Sequence, residues 1–281
     1  MDPRSFLVTV LLSTATLGPP CAHGEAPSNV GPIVVLVSAD AEWKAVRAVL
    51  PESKPAPTPF GEWFVHDVAT ASGQRRVLLF HGGWGKIAAA GSTQYAIDRW
   101  KPRLLVNLGT CGGFRGAIEK GEVLLVDKTV VYDIVEQMGD AAEAIADYTT
   151  TIDLAWIGKG LPARVRRGPL VTADRDILPA DIPRLRESYG ALAGDWESGA
   201  IAWIAHRNHV PVLILRGVSD VVGPEGSEAY GNLAAFEEGA RQVMKGLLDG
   251  LPFWLERFDK RSPAASPERG RPKREGDHGR S

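Results

Sequence analysis

The 281-residue sequence predicts an α/β fold, a three-layer α/β/α sandwich around a central mixed, largely parallel sheet. Three observations predict it. Apolar runs of strand length alternate along the chain with stretches of helical periodicity. The stretches 32–38, 103–108 and 211–215 read as buried strands, with continuously apolar runs at 33–37, 104–106 and 211–215, as in strands covered on both faces. With 44% hydrophobic residues, a chain of this length can bury one large core, which predicts a single domain over residues 25–258.

Taken in order, residues 1–24 begin with Arg4, continue as an apolar run over 6–17 and end near Pro19 and Pro20, the layout of a secretory signal. Cleavage after Gly24 places Ala22 and Gly24 at the positions a signal peptidase inspects, so a periplasmic or secreted product is expected. The run is shorter than the roughly 20 apolar residues a membrane span needs, so no stable insertion is expected after removal. Cys111 is then the one cysteine left, and no intramolecular disulfide can form.

Residues 32–38 predict a strand, and 39–50 a helix with Trp43, Val46 and Leu50 on one face. A hairpin is expected over 63–68 and 76–80 around Ser72-Gly73, followed by an Ala-rich helix at 86–100. The strand at 103–108 ends in a Gly-rich turn at 109–113. Strands are expected at 122–132 and 168–172, and a helix at 182–189. A helix opens near Glu197, with Ile201, Ile204 and Ala205 at helical spacing, and a short buried strand follows at 211–215. The last helix is expected at 233–248, with Phe236, Ala240, Val243 and Leu247 along one face. From residue 259 the chain is basic and nearly devoid of apolar groups, which predicts a disordered tail. No internal repeat is visible, and the formal charge of −2 gives no electrostatic case for nucleic acid or an anionic membrane as a partner.

The candidate chemistry lies at residues 194–220. Glu197 opens the helix there, and Asp220 follows a buried strand, where open α/β sheets bind ligands. A carboxylic acid so placed can donate a proton to a leaving group if burial raises its pKa. Ser219-Asp220 is equally a helix N-cap pattern, and Glu197 equally a first-turn acid favoured by the helix dipole. His81, His206 and His209 have no metal-ligand company, and no metal is expected. The Gly-rich runs at 82–85 and 109–113 match neither phosphate-loop nor dinucleotide spacing.

Four blocks carry a resemblance: residues 33–50 with Glu42, Gly82-Gly-Trp-Gly-Lys-Ile-Ala-Ala-Ala90, Asn107-Leu-Gly-Thr-Cys-Gly-Gly-Phe114, and Trp196-Glu197 with Ser219-Asp220. In this order, across residues 33–251, they resemble the methylthioadenosine/S-adenosylhomocysteine nucleosidases of the nucleoside phosphorylase superfamily. The resemblance implies hydrolysis of a purine N-glycosidic bond without metal or organic cofactor, by a homodimer acting on a small nucleoside. It casts Asp220 as the acid that protonates the base and Glu42 as the group that positions water. Glu197 would bind the ribose hydroxyls and gain strength as the sugar becomes cationic. Ser219, Trp196, Ile177 and Gly112 would line the substrate site. Arg216 would hold Glu42 or the water, or bind phosphate. Read from the residues alone, Glu42 is as readily a solvated helix acid.

The chain also departs from that family. Trp196 stands where a methionine is usual, Gly82 where a serine contributes to the water site, and residues 173–177 lack the ring that stacks on the base. Asp174 is left as a contact to a base edge. A phosphate-dependent phosphorylase and a non-catalytic nucleoside-binding protein therefore remain as alternatives, separated by the phosphate requirement and by base release.

Overall fold

The computed structural model describes residues 31–51 and 53–260. The segments read as a signal and, from residue 261, as a tail lie outside the described residues.

Ten strands form one sheet: β1 (Ile33–Val37), β2 (Ala56–Pro57), β3 (Glu62–Thr70), β4 (Gly73–His81), β5 (Leu104–Phe114), β6 (Val123–Val131), β7 (Thr149–Thr151), β8 (Val165–Thr172), β9 (Ala193–Asp195) and β10 (Val212–Val222). The helices are α1 (Asp40–Val49), α2 (Gly85–Trp100), α3 (Ala141–Asp147), α4 (Ile182–Tyr189), α5 (Ser198–Arg207) and α6 (Leu233–Asp259). Strand order is β10-β6-β8-β9-β5-β1-β4-β3-β2, and β10 also pairs with β5. Five strands thus close into a ring, from which β1, β4, β3 and β2 extend as an open wing. The sheet is mixed: β1 runs parallel to β4 and β5, and β10 parallel to β5, while β10 is antiparallel to β6.

The pairs α1–α6 and α2–α5 pack on the sheet as the outer layers. The continuous apolar strands occupy the middle: all five residues of β1 are buried, as are Leu104, Leu105, Val106 and Leu108 of β5. Covering both faces of such strands removes their side chains from water, each contributing roughly 1.5–3 kcal/mol.

Among the elements that run further than their sequence predicts are β5, β10 and α6. β5 does not end at its glycines: Gly109, Gly112 and Gly113 lie within the strand. These positions need the missing side chain more than an unusual backbone, because a Cβ at Gly109 would stand 2.0 Å from Nη1 of Arg216. β10 continues past Leu215 to Val222, so Asp220 sits inside the strand and not beyond it. No helix follows Asp220 for it to cap. α6 extends past Leu248 to Asp259 despite Pro252, because its last turns bury Trp254, Leu255 and Phe258. Asp259 is further fixed by Arg75 Nε at 2.5 Å and Arg103 Nη1 at 2.9 Å.

Candidate active site

A cleft of about 740 Å³ opens at the carboxyl ends of β1, β5 and β10. It is the position where parallel strands present their following loops to a ligand. The first turn of α1 supplies Glu42, β5 supplies Thr110, Cys111 and Gly112, and the junction of β9 with α5 supplies Asp195, Trp196 and Glu197. β10 supplies Ser219 and Asp220, and Ile177 comes from the loop after β8.

Local geometry explains why these side chains converge. The register of β10 against β5 shifts between Val218 and Asp220. Such a bulge breaks the strict alternation of a strand, and consecutive residues Ser219 and Asp220 both line the cleft as a result. β9 is three residues long and ends at Asp195, and α5 starts at Ser198, so the intervening Trp196 and Glu197 face the same cavity from a chain reversal.

Glu42 is not a solvated helix acid; it is 1 % exposed. Its Oε1 accepts the Thr110 amide at 2.6 Å and the Thr110 hydroxyl at 2.8 Å, and its Oε2 accepts the Ala39 amide at 3.1 Å. It closes the start of α1 and anchors α1 to β5 at once. Asp220 Oδ1 accepts the Ser219 hydroxyl at 2.7 Å, and the Ser227 hydroxyl donates to its other oxygen. Glu197 Oε1 accepts the Gly85 amide at 3.1 Å. Gly85 delivers that amide with φ +83°, a conformation that favours glycine, at the positive end of α2.

Arg216 differs from its expected place. It is fully buried and lies behind the cleft wall instead of lining it. Its Nε is 2.9 Å from Asp195 Oδ2, its Nη1 3.7 Å from Glu42 Oε1 and its Nη2 3.6 Å from Glu197 Oε2. One guanidinium thus serves three carboxylates. Burial opposes its charge, yet Asp195, Glu42 and Glu197 together hold its pKa above the usual value. Glu197 behaves oppositely: burial pushes its pKa up to about 8, and the attraction of Arg216 offsets that only in part. The Cys111 thiol is buried, and desolvation, then the Asp195 charge, raise its pKa well above the ordinary value, which keeps it an inert packing group.

Asp174 is also placed differently from its expected use. Its Oδ1 accepts the Lys86 amide at 2.8 Å, and Lys86 Nζ stands 3.8 Å from its Oδ2, so it caps α2. Three contributors carry no mark in the sequence reading. Asp195 adjoins marked residues without a motif of its own, and Thr110 lies unremarked inside the block 107–114. Trp84 lies inside a quoted block, 64 % exposed at the cleft mouth, with its ring centroid 4.8 Å from that of Trp196. Two indoles therefore flank Glu197, since Trp196 precedes it and Trp84 precedes the glycine that binds it. Tyr230, from the loop before α6, closes the far wall and donates to the Ile177 carbonyl at 2.9 Å.

Residues 32–251 match the family model described as the phosphorylase superfamily. A 5'-methylthioadenosine/S-adenosylhomocysteine nucleosidase of Maridesulfovibrio salexigens is 30% identical over 166 residues, covering 54% of this chain and 71% of that protein. The chain belongs to the methylthioadenosine/S-adenosylhomocysteine nucleosidase family of the phosphorylase superfamily. The nucleosidase of that name from Tolumonas auensis is 28% identical, covering 55% of this chain and 72% of its own length. The fold agrees with the family. The structure of the Neisseria meningitidis 5'-methylthioadenosine/S-adenosylhomocysteine nucleosidase, in complex with methylthio-immucillin-A, superposes with a TM-score of 0.64 at 18% identity, over 81% of this chain and 99% of that one.

Proposed function

We infer that the chain hydrolyses the N-glycosidic bond of a purine nucleoside such as methylthioadenosine or S-adenosylhomocysteine, releasing the base. The observation that carries this reading is Glu42, a buried carboxylate on the cleft wall that faces an arginine which Asp195 and Glu197 also approach. Glu42 and Asp195 would repel a phosphate dianion, while a neutral water can be bound and deprotonated there.

The steps follow from the placement. As the C1′–N9 bond breaks, its electron pair moves into the purine, and a protonated Asp220 gives its proton to N7. The Ser219 and Ser227 hydroxyls orient that carboxyl. The sugar left behind is oxocarbenium-like, and Glu197 stabilises it through the ribose hydroxyls. Water then adds to C1′ as Glu42 takes its proton. Trp84 and Trp196 supply the aromatic surface that the loop after β8 lacks.

A homodimer fits the same reading. Ile87, Val135 and Met138 are apolar and exposed, and Lys86 pairs with Asp133 beside them. A native mass of one chain would remove this part.

The test is base release from methylthioadenosine, adenosylhomocysteine, adenosine and inosine, each with and without phosphate. Phosphate-independent adenine release is expected. Strictly phosphate-dependent release would replace hydrolysis by phosphorolysis, and binding without release would leave a nucleoside-binding protein.

A further inference from the structure

Asp195 is the carboxylate nearest to Arg216, and the reaction as derived gives it nothing to do. Its Oδ1 accepts the Thr172 hydroxyl at 2.6 Å, and both its oxygens face the Ser198 amide, at 3.1 and 3.3 Å. Arg216 Nε stands 2.9 Å from its Oδ2 as an ion pair. The anchors come from β8, α5 and β10, so the carboxylate cannot shift without disturbing three elements.

The hydrogen-bond acceptors around the guanidinium are neutral, and Asp195 meets it as an ion pair. The single Nε–H donates to the Ser198 hydroxyl at 2.8 Å, Nη2 to Asn107 Oδ1 at 2.9 Å and Nη1 to the Thr110 carbonyl at 3.3 Å. Glu42 and Glu197 stand at 3.7 and 3.6 Å, beyond the 2.7–2.9 Å or so of a charge-assisted hydrogen bond. They feel the positive charge without being gripped by it. A carboxylate gripped by arginine is a weaker base, because its ionised form is stabilised.

We propose that Asp195 is a positioning residue: it holds the Arg216 guanidinium back from Glu42 and Glu197, leaving the Glu42 carboxylate free to take a proton from water and Glu197 free to engage the ribose. The role rests on the nucleosidase reading above. The charged and titratable groups acting on Arg216 are Asp195 from β9, Glu42 from α1, Glu197 at the start of α5 and Cys111 from β5. Asp220 acts on Cys111 in turn. Asp195 is the one acid among them in close contact with the guanidinium. Once its charge is removed, Arg216 closes on Glu42 and Glu197.

The test is the pH profile of Asp195→Asn, which keeps the shape of the side chain and its capacity to accept from Thr172 and Ser198. For adenine release from methylthioadenosine, kcat should fall about tenfold or more, with KM changed less. The acid limb of the kcat profile should move to lower pH by about half a unit or more, since Glu197 loses the Asp195 charge that helps raise its pKa and Arg216 closes on both Glu197 and Glu42. Asp195→Glu, which restores the charge, should return the limb toward its wild-type position. A lowered kcat with an unmoved limb would assign Asp195 a purely structural role and overturn the proposal, as would a kcat within twofold of wild type. If Asp195→Asn does not fold, as judged by circular dichroism, Thr172→Val carries the test. It removes one anchor of Asp195 and keeps every charge, so the limb should move the same way by less, and an unmoved limb overturns the proposal. A wild-type enzyme that releases no base under any condition would instead overturn the nucleosidase reading, and the positioning role with it.

Discussion

The indoles of Trp84 and Trp196 lie 4.8 Å apart, tilted by 33°, on the wall of the cleft beside Glu197. Trp84 is 64 % exposed, and an indole left in water at the edge of a polar cleft is a surface for a ligand to cover. Trp84→Ala should raise KM for the nucleoside by up to about tenfold, the equivalent of roughly 1.4 kcal/mol of lost contact, and leave kcat within about threefold. Tryptophan fluorescence read during titration with adenine gives an independent measure. The change seen in wild type should shrink in the variant. An unchanged KM and an unchanged fluorescence response would remove Trp84 from the binding surface.

Asp220 receives hydrogen bonds from Ser219 and Ser227, and both are hydroxyls that can rotate to accept one instead. The environment therefore suits the protonated and the ionised acid alike, as proton transfer requires. Asp220→Asn preserves these contacts and removes the transferable proton, so kcat should fall by about 10²–10⁴ while the nucleoside still binds. Full activity in this variant would transfer the acid's role to another group.

Glu42 joins two tasks, anchoring β5 through Thr110 and facing the substrate. The two can be separated. Glu42→Gln retains an acceptor for Thr110 and loses the base, so kcat should fall by about 10²–10⁴ with an unfolding midpoint close to wild type. Glu42→Ala should lose both activity and stability, the latter by about 1–3 kcal/mol, because buried donors on Thr110 and Ala39 lose their acceptor. A glutamine variant with unimpaired turnover would exclude Glu42 as the base.

Much of this site is legible in the chain because short motifs mark it: Glu42, Glu197 and Asp220 each sit in a block whose order resembles one family. The sheet core is legible for a different reason, since 33–37 and 104–106 are continuously apolar. What escapes are features set by contact instead of pattern. Glycine within 109–113 suggests a turn, yet these glycines make room for Arg216, Ile177 and Val218 from elsewhere in the fold. Asp195 carries no motif, and its meaning comes from an arginine distant in sequence. The bulge at Ser219 is a single-residue register shift, invisible to periodicity. The last helix, expected to end at 248, runs on through Gly250 and Pro252 because burial of Trp254 and Phe258 outweighs them.

The close approach at Gly109 gives a test of packing alone. A Cβ there would lie 2.0 Å from Arg216 Nη1 and 2.8 Å from Glu42 Oε1. Neither side chain can withdraw, since both are buried and held on several partners. Gly109→Ala should therefore destabilise by about 1–3 kcal/mol, the range of an overpacked core, and depress turnover by displacing the Arg216 cluster. Gly116→Ala is the contrast: no atom stands within 4 Å of its Cβ position, and only its φ of +74° opposes the change. A Gly109→Ala protein as stable and active as wild type would contradict the packing described.

Glu197 makes the pH dependence specific. Burial raises its pKa from 4.5 to about 8, so the folded chain binds a proton there that the unfolded chain has released. Its contribution to stability is thus fully present below about pH 4.5 and is lost as pH rises toward and through 8. Comparison with Glu197→Gln isolates this slope: the wild-type unfolding free energy should fall relative to the variant across that window. Ligand binding should run the other way. A nucleoside analogue with a cationic sugar ring favours the ionised carboxylate, so at neutral pH its binding must release the Glu197 proton. Its affinity should rise with pH, by up to tenfold per unit for one linked proton, and level off near pH 8. Calorimetry in buffers of different ionisation enthalpy counts the proton released. Proton uptake, or affinity independent of pH below 8, would show that Glu197 is already ionised in the free enzyme.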